Sequence, residues 1–154
     1  MRKIRQWILM TVMVCFVIIS MRIPVKAVAN EQQQNRYNVV FVTDESGSMD
    51  TTDPEQLRYE AIRSFNGLAA QTGNYLGSVS FNDEIIKKQD IQAVEGVDQK
   101  NSFTDKVVTE SAPGWTNIGL GLSTAVDMLD NNKNAELPAV IILLTDGNTE
   151  MGSA

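Results

Sequence analysis

Asp44, Ser46 and Ser48 stand at alternate positions in the run Asp44-Glu45-Ser46-Gly47-Ser48. Oxygen donors of this kind, without His or Cys, suit a hard cation such as Mg²⁺, Mn²⁺ or Ca²⁺. The same residue types also build a tight turn and a helix N-cap, where Asp and Ser accept from free backbone N–H groups. The triplet alone leaves both readings open. It directly follows Tyr37-Asn38-Val39-Val40-Phe41-Val42-Thr43. That run is short, β-branched and apolar on both faces, the pattern of a strand buried in mid-sheet. Unpaired polar groups inside such a strand would cost on the order of a few kcal/mol each. The triplet therefore belongs where the strand ends, and Gly47 lets the backbone turn sharply there.

A second chemical coincidence lies near the end of the chain. Leu137 to Thr145 is another apolar run, and it ends in Asp146-Gly147. It reads as a buried parallel strand. Two central strands each ending in an aspartate would bring both carboxylates to the carboxyl edge of one sheet, where open α/β sheets form their sites. Between them, Ser111-Ala112-Pro113-Gly114-Trp115-Thr116-Asn117 is a loop by composition.

The intervening residues supply the elements that position these loops. Asp53-Pro54-Glu55-Gln56 reads as a helix start. Leu57, Ala61, Ile62, Phe65, Leu68 and Ala69 then form one apolar face at helical period. Tyr75 to Phe81 alternates as a strand, with Tyr75, Gly77, Val79 and Phe81 on one side. Asn82-Asp83-Glu84 is a turn, and Ile85 to Val94 is a charged edge strand hairpinned onto its predecessor. Asp98 to Glu110 is a weakly amphipathic helix with Phe103, Val107 and Val108 as its contacts. Ile118, Leu120, Leu122, Ala125, Val126 and Leu129 make another helical face. Gly119 and Gly121 in its first turns point to close backbone packing or a constraint near the site. The expected fold is α/β: a doubly wound, mostly parallel sheet with an antiparallel edge strand and helices on both faces.

Composition removes several functions. The 154 residues carry a net charge of −6, but residues 1–29 hold five basic residues and no acid. The remainder, with eight basic and nineteen acidic residues, is at −11. A body so acidic is a poor partner for nucleic acid, whose phosphates need Lys and Arg. There is no histidine, and the one cysteine, Cys15, lies in the N-terminal apolar run. Ser-His-Asp and Cys-His catalysis, His-ligated zinc and an intrachain disulfide are all excluded within these residues.

The N-terminus is basic to Gln6, apolar from Trp7 to Met21, and carries Ala27-Val28-Ala29. This is the plan of a secretory signal peptide over residues 1–29, cut before Asn30. The apolar run is short for a membrane span, which needs about 20 residues. An uncleaved segment lengthened by snorkelling Arg22 and Lys26 is the alternative, and the only expected route to a membrane. Residues 30–36 read as a flexible lead-in, and residues 37–154 as the domain. That domain is expected outside the cytoplasm, secreted or at the cell surface.

With the three loops in hand, the chain resembles the von Willebrand factor type A (VWA) domain family. The family's metal-ion-dependent adhesion site has D-x-S-x-S after the first strand, a threonine in the second loop and an aspartate after the fourth strand. Asp44, Ser46, Ser48, Thr116 and Asp146 fill these places in order. Asp44 to Met49 is most similar to bacterial secreted members. The resemblance implies Mg²⁺ (or Mn²⁺ or Ca²⁺) held directly by Ser46 and Ser48, and by Thr116 when a ligand is engaged. It implies that Asp44 and Asp146 hold metal-bound waters. One coordination position would stay open for an Asp or Glu carboxylate of a protein partner. Glu45 is expected to face solvent. Trp115 stands where the family often has a small residue; it either packs on the first loop or contacts the partner.

The function so implied is binding, in adhesion or surface assembly, with no catalysis. Two other readings compete. A Mg²⁺-dependent phosphoryl-transfer or phosphatase domain would want a second acid where Ser46 stands, and no Gly-rich loop with Lys is present. An interaction subunit of a metal-chelatase or ATPase complex would be intracellular, against the signal peptide. The resemblance covers about residues 37–150, whereas the family continues with further strands and helices. The chain is therefore expected to be a fragment, with Val140 to Leu144 as an uncovered sheet edge.

Overall fold

The first apolar run forms the strand its pattern predicts. In the computed structural model it is β1, Asn38–Asp44, and all seven residues are buried. The structure describes residues 36–69, 74–110, 113–134 and 136–147, all within the unit Gln34–Ala154. The expected signal peptide, and the lead-in apart from Arg36, lie outside the described residues. After β1 come α1 (Met49–Thr52), α2 (Leu57–Leu68), β2 (Asn74–Phe81), β3 (Ile85–Val94), α3 (Gly96–Val107), α4 (Ile118–Asp130) and β4 (Ala139–Leu144). No helix among the described residues is long and apolar enough to cross a membrane.

The strand order is β3-β2-β1-β4. β1 pairs parallel with both β2 and β4, and β3 pairs antiparallel with β2. The chain leaves β1 for β2 on one side and later returns to β4 on the other. The direction of winding reverses beside β1, which opens a crevice at its carboxyl end. Alternation along β1 sends Val39 and Phe41 to one face, with Tyr59 and Ile62 of α2 and Phe103 and Val107 of α3. Val40 and Val42 go to the other, with Ala125 and Met128 of α4. The doubly wound, mostly parallel sheet with helices on both faces is thus observed. Lys100 of α3 donates to the carbonyls of Asn66 and Ala69, at 2.8 and 2.9 Å. It ties α3 to the carboxyl end of α2, where the helix dipole favours a cation.

Four expectations change. Asp53-Pro54 does not open α2, which begins at Leu57 after Gln56, itself at φ 55°. The Asp53 carboxylate still caps the helix, accepting from the N–H groups of Leu57 (2.6 Å) and Arg58 (3.2 Å). The buried face is Arg58, Tyr59, Ile62 and Asn66, while Leu57 and Leu68 are 59% and 91% exposed. Counting apolar residues misplaced this face because two polar side chains on it find buried partners. β4 is parallel and at an edge of the sheet, both as expected, and for that reason it is only partly buried and not the buried strand its apolar run suggested. The short helix α1 follows the first loop where no helix was expected.

Gly121 confirms close packing of α4, whereas Gly119 does not. A Cβ on Gly121 would lie 2.7 Å from the Phe81 ring, whereas one on Gly119 would meet nothing nearer than Asn117 Oδ1 at 3.5 Å. Helix propensity favours alanine at both by up to about 1 kcal/mol, but overpacking costs about 1–3 kcal/mol. Gly121→Ala should therefore lower stability and Gly119→Ala should hold or raise it. Urea unfolding midpoints of the two variants check the opposite signs.

Candidate metal centre

Asp44 closes β1 with its carboxylate fully buried. Its Oδ1 accepts from the Ser46 N–H at 2.9 Å and its Oδ2 from the Thr145 hydroxyl at 2.6 Å. Both donors are uncharged, and no ion pair among the described residues includes Asp44. A buried carboxylate without a cation is costly. Ser46, itself buried, and Ser48 bring their hydroxyls within 3.2 Å of each other. Ser48 stands at the N-cap of α1, yet its side chain makes no capping bond. Its hydroxyl is turned to Ser46 and not to the helix.

The other two loops are drawn in by hydrogen bonds. The Gly47 N–H donates to the Gly114 carbonyl at 3.4 Å, joining the first loop to the second. Asn117 caps α4, accepting from Leu120 N–H at 3.0 Å, and its own N–H donates to the Asn82 carbonyl at 2.9 Å. Thr116, buried, is thereby held between the helix start and the β2–β3 turn. Asp146 joins through the Thr52 hydroxyl, 3.0 Å from its Oδ2, so α1 spans the first and third loops. Trp115 leaves the second loop 51% exposed.

The donor set can be tested against the needs of an ion. Among the described residues no group of three or more His, Cys, Asp or Glu gathers to hold an ion. The set here is two carboxylates and three hydroxyls, neutral donors mixed with acids. Two oxygens at adjacent positions of an octahedral ion with bonds of about 2.0–2.1 Å stand about 2.9 Å apart. The serine hydroxyls, at 3.2 Å, are close to that spacing. The serine pair fits two adjacent positions on a small hard cation.

Glu45 overturns its expectation of solvent exposure. It is fully buried, 2.7 Å from Arg58 and 2.6 Å from the Tyr59 hydroxyl. It follows Asp44 in an extended chain, so its side chain leaves on the opposite side, towards α2. Arg58 also reaches Asp53 at 2.8 Å and lies over the Tyr59 ring at 4.8 Å. Burial would lower the Arg58 pKa, but its bonds to Glu45 and Asp53 outweigh this and raise it. For Asp53 burial raises the pKa, while bonds from Arg58 and from the Leu57 and Arg58 N–H groups win and lower it. Burial first, then the Glu45 carboxylate, pushes the Tyr59 phenol from 10.0 up to about 12. A raised pKa on this group means stability fully present below pH 10 and lost as pH rises towards 12. Urea midpoints between pH 9 and 12 should fall more steeply for the parent than for Tyr59→Phe.

Sequence reasoning assigned no role to Thr145, Thr52, Asn82, Arg58 or Tyr59. Thr145 carried one signal, a hydroxyl at the end of an apolar run. The others looked like ordinary turn and helix residues, and their partners are distant in sequence.

This geometry has relatives. Pig (Sus scrofa) inter-alpha-trypsin inhibitor heavy chain H4 is 34% identical over 121 residues, which is 75% of this chain and 13% of that protein. The chain thus spans about an eighth of the length of the curated relatives it matches. Proximal thread matrix protein 1 from the mussel byssus, solved with a zinc-occupied MIDAS motif, is 27% identical with a TM-score of 0.63. That match covers 76% of this chain and 30% of the mussel protein. The pilus adhesin SpaC from Lactobacillus rhamnosus GG shares the fold, at 19% identity and a TM-score of 0.59 over 75% of this chain and 15% of its own. The curated relatives are mammalian, so these likenesses reach the family without singling out its bacterial secreted branch. The model of the von Willebrand factor type A domain matches residues 38–154, and together with the two aspartate-ended parallel strands this establishes that the chain belongs to that family.

Proposed function

We propose that the chain is a secreted or surface-associated binding module, without catalytic activity, that engages an acidic protein partner through a divalent cation. Asp44, Ser46, Ser48, Thr116 and Asp146 would hold the ion. Mg²⁺ is the first choice and Mn²⁺ or Ca²⁺ the alternatives. When bound, the ion supplies an electrophilic position for a carboxylate oxygen. The observation that carries the reading is the pair of serine hydroxyls 3.2 Å apart beside the buried Asp44 carboxylate, which accepts from the Ser46 N–H and the Thr145 hydroxyl. Asp44 orients the first loop by taking the Ser46 N–H, and Thr145 holds Asp44 in place. The zinc-occupied motif of the mussel protein supports divalent-metal use here, and the adhesin and matrix relatives support a role in attachment. The basic, apolar N-terminus supports an extracytoplasmic location.

The test follows thermal unfolding of the full chain in EDTA, then with Mg²⁺ or Mn²⁺, beside Asp44→Ala. An ion that binds only the folded state raises the midpoint. A rise in the parent that is absent in Asp44→Ala supports the site, and a parent indifferent to either ion refutes it. Trp115, exposed beside Thr116, is assigned to the partner, since aromatic side chains at the centre of interfaces dominate affinity. Trp115→Ala should leave the metal-induced shift intact and weaken binding of the carboxylate-bearing partner by roughly tenfold or more. Partner binding equal to the parent's would refute that role.

A further inference from the structure

The second buried carboxylate of the first loop is not accounted for by metal binding. Glu45 sits between Asp44 and Ser46, and its side chain is committed to α2. Its N–H donates to the Phe81 carbonyl at 2.8 Å, so its backbone extends the β1–β2 ladder by one residue. Its carboxylate is divided between two partners. Oε2 takes Arg58 at 2.7 Å, and Oε1 takes the Tyr59 hydroxyl at 2.6 Å.

Tyr59 carries the connection onward. Its hydroxyl oxygen accepts from the Thr109 N–H at 2.9 Å, and the Thr109 carbonyl lies 2.9 Å away. Thr109 follows α3 and begins the stretch that leads to Gly114 and Thr116. Arg58 extends the network the other way, to Asp53 just beyond α1. One buried cluster therefore touches the first loop, the turn after α1 and the segment entering the second loop. The serine hydroxyls belong to the residues that follow Glu45, while its own side chain goes to α2.

We propose that Glu45, Arg58 and Tyr59 are positioning residues that hold the Ser46–Ser48 loop and the Thr116 loop in register for the cation. The inference rests on the metal reading given above. The physical reason is preorganisation. Ligand-bearing loops that must be ordered on binding lose affinity by the cost of ordering them. Groups that orient ligands without touching the ion typically contribute 10- to 100-fold in affinity. The Arg58 charge is neutralised by Glu45 and Asp53, so it does not oppose a cation bound nearby.

The experiment measures Mn²⁺ affinity of the full chain from the free-ion electron paramagnetic resonance signal. It is paired with amide hydrogen exchange of the metal-free protein at Ser46–Met49 and at Thr116–Asn117. Tyr59→Phe removes only the hydroxyl, and Glu45→Gln removes the charge and turns one of its two accepting oxygens into a donor. Both should weaken Mn²⁺ binding by ~10-fold or more and speed exchange at both loops. Ile62→Val, in the same core cluster but with no polar group to lend the loop, is the control for lost stability alone. It should lower the unfolding midpoint while leaving Mn²⁺ affinity and loop exchange as in the parent. Parental Mn²⁺ affinity in Tyr59→Phe and Glu45→Gln would overturn the inference while leaving the metal site standing. An Ile62→Val variant that loses affinity as they do would overturn it as well. A parent that binds no Mn²⁺ would remove the metal reading and this inference together.

Discussion

Asp44→Asn should abolish the metal-dependent rise in unfolding midpoint and leave the metal-free midpoint no lower than the parent's. The two halves have different causes. With free ion at 100 times its Kd, linkage adds about 2.7 kcal/mol to the folded state. For a domain of this size that is roughly a 10 °C rise. Asparagine keeps the size of Asp44 and an oxygen for the Ser46 N–H, but it brings no negative charge to a cation. In the metal-free protein the sign reverses. The carboxylate there is fully buried and, among the described residues, meets the Ser46 N–H and the Thr145 hydroxyl. A neutral amide relieves part of that desolvation cost. Stability and binding are in conflict at this position, as is common at functional sites. Differential scanning calorimetry of both proteins, with EDTA and with Mn²⁺, checks both halves. An Asp44→Asn protein that still gains several degrees from Mn²⁺ would place the ion elsewhere.

Arg58→Met should be the most damaging single change outside the apolar core, and adding Glu45→Gln should recover part of the loss. Removing one partner of a buried ion pair leaves an uncompensated charge and typically costs about 3–5 kcal/mol. Glu45 is fully buried and Arg58 nearly so, and Arg58 also serves Asp53 and lies against the Tyr59 ring. Folded domains hold only about 5–15 kcal/mol in reserve, so the single variant should be near the edge of folding. In the double variant no carboxylate is stranded at Glu45. Buried pairs replaced together are often close to neutral. Urea unfolding of the parent, both single variants and the double forms a cycle. Strictly additive losses would mean that the two side chains do not act as a pair.

The legible parts of this protein are those that depend on local pattern. Two apolar, β-branched runs could only be strands, and both ended in aspartate, so the α/β class and the sheet edge carrying the oxygens followed from period and polarity. The hairpin from Tyr75 to Val94 was equally plain, since alternation and a three-residue turn are short-range signals. The face of α2 was not legible. Leu57 and Leu68 looked like core by hydrophobicity, but Asp53 caps the helix a turn late. Arg58 and Tyr59 are buried because Glu45, distant in sequence, satisfies them. Glu45 itself was misread for the same reason: a carboxylate in a loop is usually solvated unless a partner is known.

The sequence by itself determined which residue types and strand ends could hold a cation: Asp44, Ser46, Ser48, Thr116 and Asp146. Spacing places Asp44, Ser46, Ser48 and Asp146 at that edge, because a strand delivers its last residue to a predictable place, whereas Thr116 is added by the family resemblance. Only the tertiary structure decided how these residues are held: Thr145 on Asp44, Thr52 on Asp146, Asn82 beneath the second loop, and Glu45 turned inward to Arg58 and Tyr59. Each of these contacts joins segments far apart in the chain. Which buried polar group meets which is set by the packing of helices on the sheet, and no local pattern of residues encodes it.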